Sequence, residues 1–150
     1  MQVKLLSEDK FVEVIPLEEF SIVYEGRATK GPCNDEPDAF KFSVGDYPCV
    51  GLRMWLGHWR GYVGTLDSEE VFAEPWNGFT FDRKCPELSR MLNLPEELFR
   101  WVGFDCAGKD DYVPGWTHDG LLRENYKTLE FVVNELYYMV VNKKAVQHVR

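Results

Sequence analysis

Residues suited to chemistry gather in two short stretches of this chain. His58 sits among Trp55, Trp59, Arg60 and Tyr62, and Asp105 precedes Cys106 in the run W-V-G-F-D-C-A (101–107). An imidazole among rings can act as a general base or as a stacking and hydrogen-bonding group. Asp105 would orient that imidazole. Cys106 would be a nucleophile if His58 or His118 stood beside it to stabilise the thiolate. Each residue also has a plain structural use: a half-buried histidine, a buried thiol acting as a small apolar group, and an aspartate capping the turn after a strand.

The side chains able to ligate a metal are His58, Asp105, Cys106, Asp110, Asp111, His118 and Asp119. They form no H-x-x-x-H, H-E-x-x-H or EF-hand pattern, so neither a metal nor a cofactor is predicted. Gly57, Gly61 and Gly64 give G-x-x-x-G-x-x-G without a following G-K-[ST], which is no phosphate loop. Glycines spaced so in a ring-rich strand indicate bulges or close backbone approach. Trp76, Trp101 and Trp116, with Phe79, Phe81 and Phe104, are candidates to line a groove for a nucleobase, a sugar or a peptide, or simply to fill a core.

These groups must be positioned by a chain of 150 residues, 45% hydrophobic, 28% charged and 15% aromatic. The length and composition fit one globular domain spanning 1–150. The net charge of −8 disfavours nonspecific nucleic-acid binding. Acids spread over 7–38 and 67–97 suit a soluble surface or a dock for a basic partner. Polar residues at 7–10 interrupt any signal-like run, and no stretch is long enough to span a membrane. Cys33, Cys49, Cys85 and Cys106 lack a C-x-x-C pair and are read as reduced thiols of a cytoplasm.

The alternation of Val3 and Leu5, a polar turn at 7–10 and the apolar run 11–15 predict a hairpin. A short helical turn at 17–19 and a strand at 20–24 follow. The segment 26–38, with its Gly, Pro and acids, is a loop. Phe40, Phe42 and Val44 mark a half-buried strand. The stretch 49–66 reads as a strand pair or one bent strand, with Trp59, Gly61 and Val63 on one face and His58, Arg60 and Tyr62 on the other. Residues 67–77 form an acidic loop, 78–82 a short strand, 86–90 a helix opened by Pro86, and a second helical turn starts at Pro95. A strand at 101–106 and a loop at 107–123 lead to the clearest element. Leu129, Val132, Val133, Leu136, Met139 and Val140 make an amphipathic stripe for a helix over 126–144, capped by Asn125, with Lys143 and Lys144 at its negative end. The fold class is α+β, a twisted antiparallel sheet packed by a long C-terminal helix.

G-H-W-R-G-Y-V-G (57–64), G-F-T-F (78–81), W-V-G-F-D-C-A (101–107) and the closing Y-K-T-L-E-F-V-V-N-E-L (126–136) resemble a family of small uncharacterised proteins encoded by bacteriophages and prophages. Its pattern runs H-W-x-G-Y-V-G, G-x-T-F and W-F-G-F-D-C-A-H. The resemblance is strongest over 49–145, and it implies a phage-derived gene acting in a bacterial cell. The family's histidine after D-C-A is Gly108 in this sequence, which weighs against an enzyme centred on Asp105 and Cys106.

The favoured reading is a non-enzymatic binding or inhibitory protein, acting on a host or anti-phage defence protein through an acidic, ring-bearing surface. Its anchors would be drawn from Trp55, Trp59, Arg60, Tyr62, Trp76, Trp101 and Trp116. The second is a small planar, nucleotide-like ligand bound or hydrolysed in a pocket around His58 and Asp105. The third is a structural or assembly protein.

Overall fold

The computed structural model describes residues 2–5, 10–15, 36–54, 56–108, 111–114 and 125–144. Among the described residues, seven strands form one antiparallel sheet. β1 (Gln2–Leu5) and β2 (Lys10–Val14) are the expected hairpin, and β3 (Ala39–Val44) is the strand marked by alternating phenylalanines. The stretch 49–66 is a strand pair, β4 (Tyr47–Arg53) and β5 (Trp59–Thr65). β6 (Phe81–Lys84) precedes the short helix α1 (Pro86–Met91), and β7 (Arg100–Asp105) then enters between β5 and β6. The order is β1-β2-β3-β4-β5-β7-β6. The last element is α2 (Leu129–Val141). The α+β class is therefore as expected. Among the described residues, no helix is long and apolar enough to cross a membrane.

The period-2 alternation of the strands splits the core between the two faces of the sheet. Phe40, Trp59, Val63 and Phe104 face α2, which buries Leu129, Val132, Val133, Leu136, Met139 and Val140 against them. Each such buried side chain contributes about 1.5–3 kcal/mol. Val50, Leu52, Tyr62 and Trp101 face the other way, onto Leu88 and Met91 of α1 and onto Phe99. Trp101 also donates its indole N–H to Ser89 Oγ at 3.0 Å. The sheet is thus covered by α1 on the face that α2 leaves open.

Of the glycines expected to mark bulges or close backbone approach, Gly61 and Gly64 mark no bulge and instead take closely packed rings. The ladders from β3 to β7 run in unbroken register, and each of four glycines stands directly opposite an aromatic residue: Gly51 opposite Phe40, Gly61 opposite Phe104, Gly64 opposite Trp101 and Gly103 opposite Tyr62. The rings lie over the spaces where side chains would be. A Cβ on Gly51 would fall 2.1 Å from Phe40 Cε1, and one on Gly61 would fall 2.7 Å from Phe104 Cζ and 3.0 Å from Val132 Cγ1. Because Gly51 also pairs with Gly61, Phe40, Gly51, Gly61 and Phe104 form one row across four strands. The two central glycines make a trough into which Val132 of α2 descends.

Several boundaries differ from expectation. The strand placed at 78–82 begins at Phe81, because Gly78 takes a left-handed turn at φ +80°. The turn expected after Pro95 is present at 96–98, closed by Leu98 N–H to Pro95 O at 3.4 Å. α2 is capped by Thr128, whose hydroxyl accepts from Phe131 N–H at 3.1 Å, and not by Asn125. Tyr126 lies buried before the helix and Thr128 is extended, so the helix cannot start sooner. Lys143 lies beyond the helix and pairs with Glu70 at 3.0 Å, while Lys144 N–H bonds Val71 O. The helical turn at 17–19 and the strand at 20–24 lie outside the described residues.

Candidate functional site

Two charged clusters occupy the end of the sheet where β4 stops, β5 starts and β7 stops. The first centres on Arg53, whose side chain is wholly buried. Its guanidinium lies 4.3 Å from the Trp59 ring centroid. It donates to Pro37 O at 2.9 and 3.2 Å, to Gly57 O at 3.1 Å, to Tyr126 Oη at 2.6 Å and to Glu36 Oε1 at 3.2 Å. Glu36 Oε1 also accepts from Trp59 Nε1 at 3.1 Å and from the Tyr126 hydroxyl at 2.6 Å. Glu36 Oε2 accepts from Leu129 N–H at 2.6 Å, placing a carboxylate at the positive end of α2. Burial in this network pushes the Tyr126 hydroxyl well above its ordinary pKa.

The second cluster is the one expected from the sequence. Asp105 lies opposite Arg60 in the β5–β7 ladder and accepts from Arg60 Nε at 2.7 Å. Its other oxygen, Oδ1, is 3.5 Å from His58 Nε2, without hydrogen-bonding geometry. Asn77 reaches the backbone, donating from Nδ2 to Asp105 O at 2.8 Å. His58 is 5% exposed, and its Nδ1 is a buried atom with no hydrogen-bond partner among the described residues. Burial holds the imidazole below the ordinary histidine range, with Asp105 opposing that shift. His58 is thus a buried imidazole beside a carboxylate already engaged by arginine.

Cys106 does not join them. Successive residues of a strand point to opposite faces, and Cys106 follows Phe104 into the core under α2, while Asp105 lies on the Arg60 side. The thiol is 1% exposed. Burial first, then the nearby Asp111 and Asp105 charges, push its pKa well above the ordinary thiol value. This corrects the expectation of a nucleophile at Cys106. Asp111, also buried, accepts from Gly108 N–H at 2.9 Å and meets Lys127 Nζ at 3.3 Å. A Cβ on Gly108 would lie 3.2 Å from Asp111 Oδ2, so a histidine there would stand against that carboxylate. Among the described residues, no three His, Cys, Asp or Glu side chains converge as a metal site would require.

The expected anchors divide by burial. Trp59, Tyr62 and Trp101 are core residues, which corrects their assignment to a groove or partner surface. Arg60 is exposed but spent on Asp105. Trp55, Trp116, His118, Asp110 and Asp119 lie outside the described residues. Trp76 remains, 40% exposed. Its ring meets Phe104 and Phe131 edge-on, at centroid distances of 5.2 and 4.7 Å, and its backbone N–H donates to Glu135 Oε2 at 3.3 Å. Phe79 and Tyr138 are exposed as well. A cleft of about 210 Å³ lies elsewhere, between Lys41, Phe42 and Pro48 and the chain at Leu92 and Leu94. It is smaller than the roughly 300–1,000 Å³ usual for ligand sites and contains none of the expected residues.

Sequence reasoning missed Glu36, Arg53 and Tyr126. Comparison with known proteins finds no matching family, no matching curated protein and no matching solved structure.

Proposed function

We propose that this chain is a single-domain, non-enzymatic binding protein of phage type, acting in a bacterial cytoplasm by docking a host or defence protein. The observation that carries the reading is Trp76, a large exposed ring held in place by Phe104, Phe131 and Glu135. A ring already fixed loses little freedom on binding, which suits an interface anchor. The inaccessible Cys106 thiol supports a non-enzymatic role, and the net charge of −8 supports a protein rather than a nucleic-acid partner. The phage-like motifs support the setting. Their Gly61, Gly64, Gly103 and Phe104 build the ring seats of the sheet, so the resemblance speaks for shared architecture more than shared chemistry.

Tagged protein passed through bacterial lysate should retain one stoichiometric protein. Trp76→Ala should lose it and His58→Gln should keep it. Capture unaffected by Trp76→Ala would overturn the reading.

The unmatched His58 Nδ1 favours a second reading, a small polar ligand held beside Asp105. In that case His58→Gln, not Trp76→Ala, would strip a bound metabolite from the purified protein.

A further inference from the structure

The geometry points to an arginine or lysine side chain of the partner as the group that Trp76 and Glu135 recognise, its cation lying against the indole and pairing with the carboxylate. This rests on the docking role proposed above and names the chemistry of the docked group.

Two features of the molecule carry it. The first is a contrast among its rings. Trp59 carries Arg53, Phe81 carries Arg83, Phe131 carries Lys127 and Tyr47 carries Lys143, at 4.3, 4.8, 5.4 and 5.6 Å respectively. Indole attracts cations most strongly of the aromatic side chains, yet the exposed Trp76 has no cation over it among the described residues. The second is Glu135. Asp82, Asp105, Asp111, Glu70 and Glu96 each face a basic side chain. Glu135 faces none among the described residues. Among the described residues, its carboxylate accepts from the Trp76 backbone N–H, and half-burial raises its carboxyl pKa without a cation there to offset it. A carboxylate without a basic partner among the described residues and an exposed indole without a cation are thus joined through one backbone bond. Exposed Glu74, two residues before Trp76, adds to the negative potential. A guanidinium suits the pair best, since it stacks on a ring and forks to a carboxylate at once.

The test uses the full chain and two short peptides, one alternating arginine and leucine, the other with citrulline in place of every arginine. The readout is the indole N–H resonance of Trp76, assigned by its loss in Trp76→Phe. The arginine peptide should shift that resonance saturably, and the citrulline peptide should bind at least about tenfold more weakly. Glu135→Gln should weaken the arginine peptide about three- to tenfold, whereas Glu87→Gln, a remote exposed carboxylate change, should leave it unaltered. Equal binding of both peptides, or equal losses in the two variants, would overturn the inference. If neither peptide moves Trp76 while a Trp76-dependent protein is still captured from lysate, the cation assignment fails and the docking role stands. If capture ignores Trp76, the docking role fails, and the titration still decides whether the pair takes a cation.

Discussion

Arg53 and His58 are five positions apart, and each is a buried basic side chain beside a carboxylate. Their surroundings have opposite character. Around Arg53, the guanidinium has carbonyl, hydroxyl and carboxylate acceptors, and Glu36 returns bonds to a ring, a hydroxyl and a helix end. Around His58, one imidazole nitrogen and one carboxylate oxygen have no hydrogen bond among the described residues. A densely bonded ion cluster is architecture. The imidazole, whose Nδ1 has no hydrogen bond among the described residues, is the group a ligand or a proton could still change.

The largest effect that tests this contrast is expected from Arg53→Ala. It leaves Glu36 facing the Tyr126 hydroxyl and Leu129 N–H without its cation, and should cost about 3–5 kcal/mol in urea unfolding. Arg60→Gln, which breaks an exposed pair in the other cluster, should cost only about 0–1 kcal/mol. Similar losses at both positions would erase the distinction.

Next comes Gly51→Ala, which strikes the row supporting both clusters. Relief of glycine's chain entropy gives back about 0.5–1 kcal/mol. Displacing the buried Phe40 ring, 2.1 Å from the new Cβ, should cost about 1–3 kcal/mol or more, so the net effect is destabilising. A neutral or stabilising result would show that the rings do not need those spaces.

The smallest effect is a pH slope at His58. Burial lowers its folded pKa beneath the ordinary 6.5, so the unfolded chain binds the proton first as pH falls. The stability linked to the neutral ring is present above about pH 6.5 and is lost as pH drops through that value toward the folded pKa. Subtracting the His58→Gln unfolding profile from that of the parent between pH 8 and 5 should isolate this loss. A difference that grows in favour of the parent on acidification would mean that Asp105 stabilises the charged imidazole.

The strands around Phe40 and the α2 stripe were legible because each buries one face, and burial writes its period into the chain. Alternation also held the answer on Cys106. It shares a face with Phe104 and not with Asp105, so grouping it with Asp105 overlooked the strand's own period. The proximity of His58 and Asp105 was anticipated as a possibility, and the strand ends bring them to 3.5 Å without a hydrogen bond. The Arg53 network was not legible, because its bonds join residues 17, 73 and 90 positions apart and periodicity reports only near neighbours. Glu36 lies among several acids and prolines in a loop, and Tyr126 resembles the start of a helix. Nothing local marks either as a partner of Arg53.

The bond from Leu129 N–H to Glu36 crosses 93 positions of sequence. At synthesis rates of about 5–20 residues per second, roughly 5–20 s separate the emergence of the two residues from the ribosome. Throughout that interval Arg53 and Glu36 exist without Tyr126 and without the helix end that completes their cluster. The sealing of this corner is therefore a late event in the life of each new chain. Until then its charges have only water and each other as partners.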